Sequence, residues 1–257
     1  MILRRLTTNF RKQDWTAVTV ELVIVVLGVF IGLQAQDWAS ARADQRRADV
    51  LLQQLRGDLD GEKGNVKTYM DYQEVTAAYA KTAIRGLESP GSVDPNTWLA
   101  SVYQATQIFS PKSNRSTFDE MKSTGAIDLI GNIRFRALLI NYYSFDWTQS
   151  SVVKAQAPSR ELVRSILPYS IQQAIKASCG DTVDVIDGIV VTVLPKTCQF
   201  DAPAVDIARA TETLHATPAL LPALTYQLSL IETNIEAVGA NQQLLSDLIA
   251  AAGKRAP

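Results

Sequence analysis

The chain is poor in the side chains that most metal and nucleophile chemistry uses. It holds one histidine, His215, and two cysteines, Cys179 and Cys198. That is too few soft ligands for a zinc site made of Cys and His alone. A histidine-based triad would have to use His215, which sits in Glu212-Thr-Leu-His-Ala-Thr-Pro218 just before a helix start. A surface or cap-adjacent histidine is the expectation there. No glycine-rich phosphate loop follows a strand, and neither G-x-S-x-G nor H-E-x-x-H occurs. The acid pairs Asp58/Asp60 and Asp119/Glu120 read as solvated helix faces. Asp184 and Asp187 supply too few oxygens for a calcium loop. The expectation is a non-enzymatic protein with no catalytic residue, no metal site and no cofactor.

Strong charge of one sign is also missing, since the net charge is −1. Arg4, Arg5, Arg11 and Lys12 stand against Asp14 in the first fifteen residues, which leaves a mildly acidic body. Nucleic acid requires a concentrated basic face, so it is not an expected partner.

What the chain does have is one apolar run. Leu22 to Leu33 is unbroken, and Trp15 and Trp38 bracket a longer tolerable stretch. The residues between the two tryptophans would rise about 33 Å as a helix, close to the ~30 Å hydrocarbon core. Tryptophan favours the headgroup level, so Trp15 and Trp38 are the expected interface anchors. A cleaved signal peptide is the rival, given the basic start, Arg4-Arg5 and the small residues Ala39-Ser40-Ala41. An uncleaved anchor over residues 15–38 is the preferred reading, with a basic tail over 1–14.

Four Lys/Arg precede the span. Arg42, Arg46 and Arg47 follow it, mixed with Asp37, Asp44 and Asp49. The positive-inside rule favours a cytoplasmic N-terminus by a thin margin. Cys179 and Cys198 flank a segment they could close as a disulfide of about 20 residues, worth roughly 3 kcal/mol in the loop-entropy model. Two buried thiols are the alternative. Such a bond persists in an oxidising compartment. Both arguments place residues 39–257 outside the cytoplasm, in a periplasmic helical domain on a bacterial inner membrane.

At 100° per residue, Ala17, Glu21, Val25, Gly28, Gly32 and Ala35 share one stripe of the membrane helix. Gly28 and Gly32 form a GxxxG pattern, which lets another helix approach closely. The packing face is therefore assigned to Glu21, Gly28, Gly32 and Ala35. Leu22, Ile24, Val26, Leu27, Val29, Phe30 and Ile31 face lipid. Glu21 lies roughly 9 Å inside Trp15 along the axis. It either reaches the headgroups or a neighbouring helix, or it handles protons or ions in an assembly.

The remainder reads as helical. A stripe through Ala48, Leu52, Leu55, Leu59, Glu62, Val66 and Tyr69 loosens near Gly57, Gly61 and Gly64, which predicts one helix over 14–62 and another over 65–87. Residues 88–95 form a loop. Asp94-Pro95 starts a helix through Trp98, Val102 and Ile108. Residues 110–114 form another break. Ser116 to Asp119 resembles a capping box for a short helix that stops at Gly125. A helix follows over 131–156, carrying Phe135, Leu138, Leu139, Tyr142 and Tyr143. Pro158 and Pro168 break or kink the chain up to Ala177.

Residues 181–195 alternate β-branched residues on either side of Asp187-Gly188, a strong hairpin signal. A hairpin insert over about 179–198, closed by Cys179 and Cys198, is expected. Thr217-Pro218 opens a last helix of about 33 residues and roughly 50 Å. Its heptad seam runs through Leu221, Leu224, Leu228, Ile231, Ile235, Val238, Gln242, Leu245 and Ile249, with Gln242 as a register element. It packs either in an antiparallel bundle against the 40–87 helices or in an intermolecular coiled coil.

The words Glu21 to Gly28, Leu33-Gln34, Asp37-Trp38, Leu52-Gln-Gln-Leu55-Arg-Gly-Asp58-Leu59, Thr117 to Ile130 and Leu138 to Tyr143 resemble the first half of a family of uncharacterised bacterial single-pass membrane proteins. The resemblance covers about residues 10–145. It implies an inner-membrane anchor and a mostly helical extracytoplasmic domain, with no activity attached. The fold expectation is mainly α. One N-terminal transmembrane helix continues into a bundle with a small disulfide-closed hairpin. The expected partners are membrane lipid, other transmembrane helices or a second copy through Gly28/Gly32, and a protein complex. A membrane-anchored accessory protein is the leading functional expectation. The runner-up is a single-span subunit of an ion-driven, energy-transducing assembly that uses Glu21. A sensor would need a partner for its output, because the tail is too short to carry one.

Overall fold

The computed structural model describes residues 15–186 and 189–252, with no account of the side chains of residues 15–18, 186 and 189. The expected basic tail, the Trp15 side chain and the Asp187-Gly188 turn therefore lie outside the described residues. The fold is mainly α. One helix, α1 (Trp15–Glu88), runs through the whole molecule. At 1.5 Å per residue its 74 residues reach about 111 Å. The remaining elements gather on its C-terminal half.

The break expected between residues 62 and 65 is absent. Helix α1 continues through Gly57, Gly61 and Gly64. Each glycine costs a helix about 1 kcal/mol. Burial of Leu55, Leu59, Val66 and Tyr69 on the same face outweighs it. Helix α2 (Pro95–Gln104) starts as its sequence predicts. Asp94 accepts a hydrogen bond from the Thr97 backbone, and Pro95 occupies the first turn. It stops before Ile108. Gly86 makes this packing possible, because a Cβ there would overlap the Trp98 indole, whose Nε1 donates to the Ala83 carbonyl at 2.9 Å.

Helix α3 (Ser116–Thr124) stops at Gly125, whose φ of +75° suits glycine. The expected capping box is replaced. Ser116 is already helical and Arg115 is the cap residue. Asp58 of α1 instead accepts from the Thr117 backbone and the Ser116 hydroxyl. A 3-10 turn (Ala126–Leu129) leads to α4 (Ile133–Ser144), capped by the Asn132 side chain. The helix expected to reach residue 156 ends at Ser144. Asp146 caps a 3-10 turn (Trp147–Gln149), and Ser150 caps the single turn α5 (Ser151–Lys154). Two successive polar caps restart the chain, which apolar periodicity alone did not reveal.

Helices α6 (Ser159–Ile166) and α7 (Tyr169–Cys179) follow Pro158 and Pro168. Strands β1 (Thr182–Ile186) and β2 (Ile189–Val193) pair antiparallel, with Asp184 opposite Val191 and Val185 opposite Val190. The Cys179–Cys198 disulfide is present and closes the hairpin region. Helix α8 (Ala204–His215) precedes α9 (Leu220–Ala252).

Helix α9 packs along α1 and against α4, so within this chain it is a bundle helix. Its seam is half as expected. Leu224, Ile231, Val238 and Leu245 are buried. Between them the inward positions are Gln227, Asn234, Asn241 and Leu248, one residue before the expected Leu228, Ile235, Gln242 and Ile249, which are half-buried. Two of these polar side chains find partners on neighbouring helices. Asn241 donates to the Tyr142 hydroxyl at 3.3 Å, and Gln227 accepts from Ser159 at 3.2 Å.

Two apolar cores are strung along α1. The nearer one collects Leu51 to Tyr69, Phe118, Met121, Leu139, Tyr143 and the second half of α9. The farther one collects Tyr72 to Ala83, Trp98, Val163, Ile171, the disulfide and Leu224. Phe109 packs against both.

Candidate functional site

Among the described residues, neither apolar core reaches the first third of α1. Residues 19 to 47 are exposed without exception, including Leu22, Ile24, Val26, Leu27, Val29, Phe30 and Ile31. Exposing so much contiguous apolar surface to water is unfavourable, and a patch of this size marks a contact surface. This is the one helix among the described residues that is long and apolar enough to cross a membrane.

Glu21, Gly28, Gly32 and Ala35 are all exposed on this rod. A Cβ added at Gly28 or Gly32 would meet open space. Among the described residues no second helix lies against Gly28 or Gly32. Trp38 is exposed, and the Arg42 guanidinium lies 5.1 Å from its ring centre. The aromatic and the cation at the end of the apolar run therefore form one amphipathic cap.

The rod joins the bundle through a buried carboxylate that sequence reasoning treated only as one step in a stripe. Glu62 is fully buried. Its Oε1 accepts from the Tyr142 hydroxyl at 2.8 Å, the Trp147 indole at 2.8 Å and the Ser113 hydroxyl at 3.0 Å. Its Oε2 accepts from the Asn114 backbone at 2.6 Å. Hydrogen bonds to an ionised acceptor are the strong ones. This one side chain ties α1 to the 110–114 loop, α4 and the turn after it. Through Asn241 on the Tyr142 hydroxyl it also reaches α9. The legible signal was an acid at an apolar position of a 3/4 stripe. Its partners were not legible, because they lie 51 to 85 residues away.

A second polar centre lies farther along α1. Tyr72 donates to both oxygens of Asp181 at 3.1 Å. The Arg164 guanidinium stacks 3.3 Å over the Tyr103 ring, and burial pulls its pKa down to about 10. Burial raises Tyr72, Tyr142 and Tyr143 above the ordinary phenol value, with Asp181 adding to the rise at Tyr72 and Glu62 at the other two. Burial also pushes Tyr79 up to about 12. His215 is exposed and stacks on Trp98 at 4.2 Å, as a surface histidine in the last turn of α8. Among the described residues no cluster of His, Cys, Asp or Glu could hold a metal ion.

The expected solvated acid pairs partly serve structure. Asp58 caps α3, Asp119 pairs with Arg115 at 2.9 Å, and Glu120 reaches Arg47 at 3.2 Å. The chain matches no family model, no curated protein and no solved structure.

Proposed function

We propose that this chain is a membrane-anchored accessory protein. Its apolar rod joins other transmembrane helices, or its own copy, through the Glu21/Gly28/Gly32/Ala35 face. Its bundle stands in the periplasm of a bacterial inner membrane as a non-catalytic interaction module. The carrying observation is the rod itself, whose apolar window is 0% buried against the rest of the chain. The resemblance of residues 10–145 to single-pass membrane proteins supports the same reading, and so does the disulfide, which favours an oxidising compartment.

A photoreactive residue placed at Ala35, on the small-residue face, is expected to capture a protein partner in intact membranes. The same residue at Phe30, on the opposite face of the helix, is expected to capture lipid. Equal protein capture from both faces, or none from Ala35, would overturn the packing face.

The ion-driven alternative rests on Glu21, an acid on the crowded stripe of a span. Glu21→Gln discriminates between the readings. Lost function with intact assembly supports proton handling, and unchanged behaviour removes it.

A further inference from the structure

Where the two apolar cores meet, the packing opens into a polar cavity of about 250 Å³. Its floor is Tyr69, Thr106, Ala157, Ile231 and Asn234, all buried. Its mouth includes the exposed Ile108, Lys154 and Gln156. At ~30 Å³ per water it has room for roughly eight waters, or a molecule of about ten non-hydrogen atoms.

The wall is cationic. Lys154 and Arg160 line it, and no Asp or Glu does. Asp181 lies within electrostatic reach of Arg160 and Arg164 together, so it offsets one of those two charges. The Arg160 Nη1 is committed to the Thr106 carbonyl at 2.6 Å and to Gln107 at 3.5 Å. The rest of that guanidinium bonds no protein group among the described residues. A fork of free N–H groups matches a carboxylate.

The floor has a complementary need. Asn234 is 4% exposed, yet its Oδ1 has no hydrogen-bond partner. Leaving a buried acceptor unmet costs about 1–3 kcal/mol. Among the neighbouring groups, Thr106 donates to the Tyr103 carbonyl, Gln107 donates to Gln104, and Gln227 accepts from Ser159; none of these bonds reaches Asn234. Water would satisfy Asn234, and an anion would in addition complement Arg160 and Lys154.

We infer that this cavity binds a small carboxylic acid bearing a hydroxyl or amino group. The carboxylate meets Arg160, with Lys154 at the mouth, and the donor meets Asn234 Oδ1. Because Tyr69 and Gln73 come from α1, Ile231 and Asn234 from α9 and Arg160 from α6, an occupant contacts three helices at the junction of the two cores. The inference is independent of the packing face proposed above.

The test uses the full chain in detergent micelles, with calorimetric titration and thermal unfolding. The probes are L-lactate, L-serine, L-malate and L-glutamine, each with its carboxamide (lactamide, serinamide, malamide and the α-amide of glutamine) as a matched control. At least one acid is expected to bind and raise the unfolding temperature, and its amide is not. Arg160→Met is expected to weaken that acid roughly ten- to a hundredfold, the loss of one or two charge-assisted hydrogen bonds. Asn234→Leu is expected to abolish binding without lowering the unfolding temperature, since it removes the unmet acceptor. Should Arg160→Met fail to fold, Arg160→Lys, which keeps the charge and loses the fork, is expected to show a smaller loss. Absence of binding by all four acids, equal binding of acid and amide, or undiminished affinity in Asn234→Leu would each overturn the assignment.

Discussion

Glu62 has four donors and no cation among its partners. Its environment is thus built from neutral groups that must all point one way, and each removal leaves something buried and unmet. Glu62→Leu strips the Tyr142, Trp147 and Ser113 groups of their acceptor at once. It is expected to destabilise the bundle by about 3–5 kcal/mol, against about 1.5–3 kcal/mol for Tyr142→Phe, which removes one bond to a charged acceptor. Urea unfolding followed by circular dichroism would check the order of the two. If Glu62→Leu unfolded at the wild-type midpoint, the hub would have no structural weight.

The same residues set the alkaline limit. Tyr72, Tyr142 and Tyr143 have folded pKa values above the ordinary phenol value. Folded and unfolded chains both keep these protons below pH ~10, the unperturbed phenol pKa. Above it the unfolded chain binds fewer protons, so stability falls as pH rises. The urea midpoint is expected to be flat from neutral pH to about 10 and to drop beyond it. A midpoint that rose above that pH would contradict the burial of these phenols.

At the scale of the element, α1 and α9 show how packing corrects a pattern. Apolar spacing located both helices, and Asp94-Pro95 and Gly125 marked a start and a stop. The spacing also suggested a break at three glycines and a seam through Leu228 and Ile235. The break is not found, and the seam is broader than expected: Leu228 and Ile235 are half-buried while Gln227 and Asn234 also turn inward, because helix neighbours decide which face is inside. Gly86→Ala tests that closeness. Its Cβ would overlap the Trp98 ring, and Trp98 is itself buried. The expected cost is about 1–3 kcal/mol, although alanine is the better helix former. A stabilised variant would show that α2 has room to shift.

The hairpin is the element most dependent on a single bond. Two strands alone are marginal in water. Val183, Val185 and Val190 remain exposed, while Val191 is buried and β2 packs on α1. Replacing Cys179 and Cys198 by serine is expected to cost roughly 3 kcal/mol. Hydrogen exchange should show the loss first in residues 182–193 and leave the α1–α9 pairing protected. Uniform loss of protection would mean that the disulfide supports the whole bundle.

For the whole molecule, the dominant feature is asymmetry: an exposed apolar rod at one end of the described residues and a bundle with two cores at the other. Gly28 and Gly32 leave open space beside the helix, the condition that lets a second backbone approach in lipid. Replacing both by isoleucine is expected to abolish self- or partner cross-linking through the span and leave the bundle's unfolding midpoint unchanged. Persistent cross-linking would move the interface to another face.

The sequence by itself determined the rod, the helical class and the hairpin, and it limited any disulfide to Cys179 and Cys198, the bond the structure then formed. These follow from local quantities: an unbroken apolar run, 3.6- and 2-residue periods, a turn dipeptide, and two cysteines with no other partner. Tertiary structure alone decided that Glu62 is a buried hub, that Asn234 and Asn241 face inward on α9, and that Arg160 shares a cavity with Asn234. Each of those depends on groups far apart in the chain meeting at hydrogen-bond distance. Periodicity carries no information about such meetings, because it records which face of a helix is apolar and not what stands opposite.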